Sequence, residues 1–177
     1  MGMKHTGKSQ HGRALAEAQG RAFCDTDVLI QELDAAEFGM RRTIRDIYLE
    51  DGPDRFRQLE AAACRLAAER DEAIVIATGG GICDNPDAAI TMDGGIRVHL
   101  VDSLESLWGR VFRGGIPAFL HTRDRQTARK RFAELYERRM RAYESLADLT
   151  VDLSGKDLPQ ARTAIMNQLE EYLRGRQ

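Results

Sequence analysis

Apolar positions along the chain follow two rhythms that alternate. Ala73-Ile-Val-Ile-Ala77 is a continuous apolar run with charge before it and glycine after it, the pattern of a strand buried on both faces. Ile96 to Val101 and Leu149 to Leu153 read as further strands, and Ala22 to Asp25 as a short one ending in acids. Helical patterns lie between them: Ser9 to Ala18, Val28 to Leu33, Thr43 to Leu49, Leu104 to Phe112, Gln126 to Tyr143 and Leu158 to Leu173. A longer helix begins at Pro53, whose missing N–H costs nothing in a first turn. It carries Phe56, Leu59, Ala63, Leu66 and Ala67 at helical spacing, with charges between them. Gly114 to Arg125 shows no regular pattern. Strand and helix in alternation predict an α/β fold of three layers, a parallel sheet covered on both sides. No repeat, low-complexity tract or linker divides residues 1–177, so one domain is expected.

Composition narrows the class. Hydrophobic residues make up 42% and charged residues 31% of 177, ordinary for a soluble domain large enough to bury a core. No apolar run approaches the roughly 18 residues that cross a bilayer, and no signal-peptide pattern opens the chain. A cytoplasmic protein without a membrane partner is expected. Cys24, Cys64 and Cys83 have no paired metal-ligand spacing and read as reduced thiols. His5, His11, His99 and His121 likewise form no metal site by spacing, and Trp108 is expected to pack on its helix. Charge is uneven: Arg110 to Arg141 holds ten Arg and Lys against three acids, although the whole chain is at −2. A nucleic-acid patch is one reading of such a block. Its aromatics are only Phe112, Phe119, Phe132 and Tyr136, so base-stacking platforms are scarce. Neutralising the acidic groups of small ligands fits the same charges, and no nucleic-acid partner is expected.

Gly2-Met-Lys-His-Thr-Gly-Lys-Ser9 satisfies G-x-x-x-x-G-K-[ST], with a helix-forming stretch directly after it. Glycines let the backbone wrap so that N–H groups point at phosphate oxygens, and the helix presents its positive end. Gly2, Lys4, His5, Thr6, Gly7, Lys8 and Ser9 are the candidate ATP-binding residues. Lys8 would bridge the β- and γ-phosphates and the Ser9 hydroxyl would ligate Mg²⁺. The alternative is a chance match in a loop before a helix. Such a loop normally follows a buried strand, yet only Met1 precedes Gly2. A start further upstream, or a shortened chain, is the expectation.

Asp25-Thr-Asp27 lies at the carboxyl end of an expected strand, where ligands bind in open α/β sheets. Carboxylates at i and i+2 on a strand end point the same way. One can hold the metal's hydration shell while the other orients or deprotonates an attacking hydroxyl. The same residues can instead cap the next helix, and both roles are compatible.

Taken in order, these motifs carry a resemblance. A phosphate loop, Asp25-Thr-Asp27, Asp51-Gly52, Phe56-Arg-Gln-Leu-Glu60, Thr78-Gly-Gly-Gly81, and Arg139 four residues before Tyr143 resemble the shikimate kinase family over the chain from Gly2 onward. The resemblance implies a P-loop kinase fold of about five parallel strands with a mobile lid at 113–125, the first strand being absent here. It implies transfer of the γ-phosphoryl group of MgATP to a hydroxyl of shikimate by a monomer, with ATP and Mg²⁺ as cofactors. Asp25 matches the aspartate that places Mg²⁺ through water, and Asp27 the residue that binds ring hydroxyls and acts as base. Arg57 and Arg139 match the arginines that hold the substrate carboxylate, and Glu60 an acid that positions Arg57 or the ring. Gly79, Gly80 and Gly81 match glycines that approach the ring, and Arg110 an arginine set against adenine. Lys8, Asp25 and Asp27 are thus the catalytic candidates. Arg57 with Glu60 could equally be an i, i+3 surface pair, and Arg139 part of a solvated face.

Two positions depart from the pattern. The family's lid carries an Arg-Pro pair, and here Ile116 precedes Pro117. An isoleucine cannot stabilise charge on a transferring phosphoryl group. Arg113, Arg123 or Arg125 could supply that charge; otherwise the acceptor differs or catalysis is weak. Gln10 replaces the family's usual threonine after Ser9. Two rivals remain, a kinase for another hydroxy acid such as gluconate and a nucleotide binder that has lost catalysis.

Overall fold

The structure is a computed structural model that describes residues 1–114, 120 and 122–176. Among these residues Ala22–Asp25 form β1, Ile74–Ala77 β2, Val98–Val101 β3 and Leu149–Asp152 β4. The helices are α1 (Lys8–Gln19), α2 (Thr26–Phe38), α3 (Ile44–Ala68), α4 (Pro86–Ala89), α5 (Leu104–Val111), α6 (Arg125–Leu146) and α7 (Leu158–Arg174). β1 pairs in parallel with β2, Cys24 opposite Ile76, and β3 in parallel with β4, Leu100 opposite Val151. Helices cover these parallel strands as the alternation of patterns predicts.

β2 and β3 are not paired with each other. The chain start runs along β3. The Met1 amino group donates to the Val98 carbonyl at 2.7 Å, and the Leu100 N–H donates to the Met1 carbonyl at 2.9 Å. Beside it lies a cavity of about 500 Å³ lined by Leu15, Ile74, Ile76, Val98, Ile165 and Leu169 among others. Where a strand is expected ahead of Gly2, Met1 pairs with β3.

α2 and α3 form a unit over the carboxyl end of β1. Asp25 caps α2, and Thr43 and Asp46 close a capping box at the start of α3. α2 runs on to Phe38, beyond the sequence expectation, while the two helices expected around Thr43–Leu49 and from Pro53 are both present within α3 and meet at a kink. Gly52 supplies the kink at φ 82°, ψ 174°, a conformation only glycine adopts without strain. Ile47, before the kink, and Leu59 and Ala63, after it, bury in one cluster with Ile30. Arg42 ties the unit by a fork to buried Asp34 on α2 and by a second contact to Asp51 beside the kink. Ile47 is fully buried, so Ile47→Ala is expected to destabilise the protein by about 2–5 kcal/mol in denaturant titration.

A second cluster lies under the phosphate loop. Met3, 1% exposed, sits among Cys64, Ile82, Leu107, Phe132 and Tyr143. Trp108 packs on its own helix through Phe112 and across to Phe132 on α6. No helix is long and apolar enough to cross a membrane among the described residues.

Candidate active site

The phosphate loop connects Met1 to α1 and is held by steric fit. A side chain at Gly2 would meet the Leu100 carbonyl oxygen at 2.4 Å, and Gly7 sits at φ 81°. His5 is the single described non-glycine residue at positive φ, 68°, a conformation that costs about 1–3 kcal/mol and is held by its surroundings. Thr6 and Lys8 both donate to the Met3 carbonyl, each at 2.9 Å. Lys8 opens α1, so the cation and the helix's free N–H groups face the same space. Burial lowers the Lys8 ammonium to about 8 despite the opposing pull of Asp27 and Asp25. Burial, with Lys4, Lys8 and Arg110, holds the His5 imidazole below its usual range.

Asp25 performs two tasks at once. Oδ1 accepts the Asp27 N–H at 3.0 Å, which caps α2, and Oδ2 accepts the Ser9 hydroxyl at 2.5 Å. The cap and the chemical role weighed from sequence are therefore served by different oxygens of one carboxylate. Ser9 and Asp25 form an oxygen-only pair beside Lys8, a donor set suited to a hard cation such as Mg²⁺. Asp27 points to the triple glycine instead. Burial, then the charge of Asp25, raises its carboxyl above the usual range, against Lys8 and Lys4.

Gly79, Gly80 and Gly81 follow β2 and floor the site. The Gly79 N–H donates to the buried Thr26 hydroxyl at 2.9 Å, which locks this loop to α2. A side chain at Gly79 would stand 3.0 Å from both Asp27 Oδ1 and Glu60 Oε1. One at Gly80 would meet the Lys4 backbone nitrogen at 2.9 Å, so this loop lies directly against the phosphate loop. Asp27, Glu60 and Lys4 therefore converge on three consecutive glycines.

The expected carboxylate-binding residues are placed differently from one another. Arg139, on α6, donates to the Gly80 carbonyl at 2.5 Å and to Asp84 at 2.9 Å. It stands at the mouth of the glycine floor, near Gly81. Arg57 instead turns outward to Asp54, at 2.7 Å, and is half exposed. Glu60 does not touch it. Glu60 is 3% exposed and accepts from Asn85 Nδ2 at 3.0 Å, while the same Asn85 amide donates to the Arg57 carbonyl at 2.9 Å. Burial, then the charge of Asp27, raises the Glu60 carboxyl; the Asn85 bond and Arg139 oppose this. Arg110 reaches the phosphate loop by donating to the His5 carbonyl at 3.0 Å, and pairs at 2.8 Å with buried Asp102 at the end of β3.

Of the expected lid, residues 115–119 and 121 lie outside the described residues, and with them Ile116 and Pro117. Arg113 and Arg123 are exposed and Arg125 begins α6. Leu120 is buried, and its carbonyl accepts from Arg131 at 2.7 Å.

Four residues of the site escaped the sequence reading: Thr26, Asp84, Asn85 and Asp102. Asn85-Pro86 is a helix-start signal that would have marked Asn85 as a cap. Nothing local marks the others, because their partners are 53, 55 and 8 positions away on other elements or turns.

The chain is similar to known proteins. A family model described as shikimate kinase matches residues 4–170. A shikimate kinase of Desulforudis audaxviator (strain MP104C) is 38% identical over 173 residues, 97% of this chain and 85% of that protein. One from Lactococcus lactis subsp. cremoris (strain MG1363) is 32% identical over 171 residues, 96% of each chain. Among solved structures, shikimate kinase from Acinetobacter baumannii in complex with shikimate superposes with a TM-score of 0.80 at 27% identity. That match covers 98% of this chain and 90% of the other. Shikimate kinase from Aquifex aeolicus gives 0.75 at 26% identity, covering 99% and 96%.

Proposed function

The chain belongs to the shikimate kinase family, and we propose that it transfers the γ-phosphoryl group of ATP to a ring hydroxyl of shikimate. The observation that carries this reading is the contact between the two cradles. Gly80 packs on the backbone of Lys4 while Gly79 faces Asp27 and Glu60. An acceptor lying on the glycines would have its hydroxyls at Asp27, its carboxylate toward Arg139, and the phosphates of ATP on the adjoining loop.

In the proposed step the acceptor hydroxyl oxygen bonds to the γ-phosphorus, and the bond to the β,γ-bridging oxygen breaks. ADP leaves, and Asp27 takes the hydroxyl proton. A raised carboxyl is a better base near neutral pH than an ordinary one. Lys8 and the loop N–H groups hold the β- and γ-phosphates, and Arg110 braces the loop from outside. Ser9 directly, and Asp25 through water, are the residues that would hold Mg²⁺. Bound there, the ion would neutralise charge on the phosphates. The fork of Arg139 suits a carboxylate. Arg57 can join only by leaving Asp54, an exposed contact of small worth. For the charge that Ile116 cannot provide, Arg113, Arg123 and Arg125 are the lid candidates. The protein acts in this reading as a cytoplasmic monomer on small molecules, consistent with its free cysteines.

The reading is tested by product identity. A new phosphomonoester resonance in ³¹P NMR, formed from ATP and shikimate and absent with gluconate, is expected. Consumption of ATP with gluconate and not with shikimate would reject the acceptor. A pH dependence follows from Lys8. It is a cation below about 8 and neutral above, so the Kd for ATP should be flat below that pH and rise by about tenfold per unit above it. A Kd unchanged up to pH 10 would show that burial does not lower the Lys8 ammonium.

A further inference from the structure

Tyr143 stands where the two cradles meet. Its side chain, on α6, is fully buried, and its hydroxyl lies 3.1 Å from the Gly2 carbonyl and 3.0 Å from the Gly80 carbonyl. Gly2 opens the phosphate loop and Gly80 is the centre of the acceptor floor, 78 positions apart in the chain. A phenol has one proton to donate, so the two carbonyls compete for it. The ring is enclosed: it packs on buried His99, with centroids 4.9 Å apart and the planes tilted by 31°, and Cys83 packs against the same cluster. The Gly80 carbonyl has a second donor, Arg139 Nη1 at 2.5 Å, and the Gly2 carbonyl is served by Tyr143.

We propose that Tyr143 is a positioning residue that couples acceptor binding to ATP binding through this shared proton, an inference that rests on the acceptor reading given above. Arg139 is both the donor to Gly80 and the residue that faces an incoming carboxylate. When its fork turns to the carboxylate, the Gly80 carbonyl loses a charged donor and draws the Tyr143 proton. The Gly2 carbonyl is then released, and the loop that holds the phosphates changes its backbone hydrogen bonding. Occupation of one cradle is thereby transmitted to the other across a single side chain. By reciprocity, a nucleotide that shifts the loop must alter acceptor affinity by the same factor.

The experiment is a binding cycle with the β,γ-imido analogue of ATP and shikimate, by calorimetry, on the wild-type protein and on Tyr143→Phe. In the wild type shikimate is expected to change the Kd for the analogue by about fivefold or more. In Tyr143→Phe that factor falls to within about twofold of one, while each ligand alone still binds. A purely structural tyrosine would weaken both affinities or the thermal midpoint and leave their ratio unchanged. A wild-type factor of one, or a Tyr143→Phe factor equal to that of the wild type, overturns the coupling. Should the variant fail to fold, the carbonyl ¹³C resonance of Gly2 in the wild type decides. It shifts on adding shikimate alone if the proton moves, and a stationary resonance overturns the proposal. Failure of shikimate to bind the wild type at all would overturn the acceptor reading together with the coupling. Binding without coupling overturns only the latter.

Discussion

Asp27→Asn is expected to lower kcat by about 10²–10⁴, the range for removing a positioned general base, with the Kd for ATP within a few-fold of the wild-type value. The substitution keeps the shape of the side chain and its place beside Gly79, and removes the ability to accept the proton. The cap of α2 survives, because that bond is made by the Asp27 backbone to Asp25. The Ser9–Asp25 contact is also untouched. Loss of turnover with nucleotide binding retained separates a kinase from a protein that only holds ATP. A variant that turns over at the wild-type rate would remove Asp27 from the chemistry. The pH profile supplies a second check. The Asp27 carboxyl lies above the usual range, so kcat/KM for the acceptor should fall as pH drops through that raised value, while the charge is lost.

Arg139→Ala is expected to lower kcat/KM for the acceptor by about 10²–10³. Arg139 is half-buried and hydrogen-bonded, and losing its charged fork to a carboxylate costs on the order of the 2–5 kcal/mol found for truncated charge pairs. Its KM for ATP should change much less, since no contact from Arg139 to the phosphate loop is direct. Arg139→Lys should recover only part of the loss, because an ammonium cannot present the fork. Arg57→Ala should cost far less than either, as Arg57 is half exposed and paired with Asp54. Equal losses from Arg57 and Arg139 would show that Arg57 leaves Asp54 and joins the site when the acceptor binds. Steady-state kinetics with each substrate varied in turn decides between these outcomes.

How much could be read from the chain depended on how local each feature is. The phosphate loop is eight consecutive residues, and Asp25 and Asp27 are two apart, so spacing alone exposes them. The apolar run at Ala73–Ala77 likewise needs no partner to be recognised as a buried strand. The signal Asp51-Gly52-Pro53 marks a boundary between helices, and Gly52 breaks the helix there. What local spacing does not show is that Ile47 and Leu59, on either side of that break, bury in one cluster with Ile30. Arg57 has an acid three residues before it and another three after it, a tie that local spacing cannot resolve. Asn85, 25 positions beyond Glu60, decides it by taking that carboxylate and leaving Arg57 to Asp54. The Tyr143 contacts span 63 and 141 positions. The motif that contains Tyr143 is visible in sequence, but its place between two loops exists only once α6 has packed.

The most direct test of the account is ADP release from MgATP with and without shikimate. The account predicts shikimate-dependent release that is abolished by Asp27→Asn, which would also show that Ile116 leaves the lid competent. No stimulation by shikimate, with ATP still bound, would contradict it.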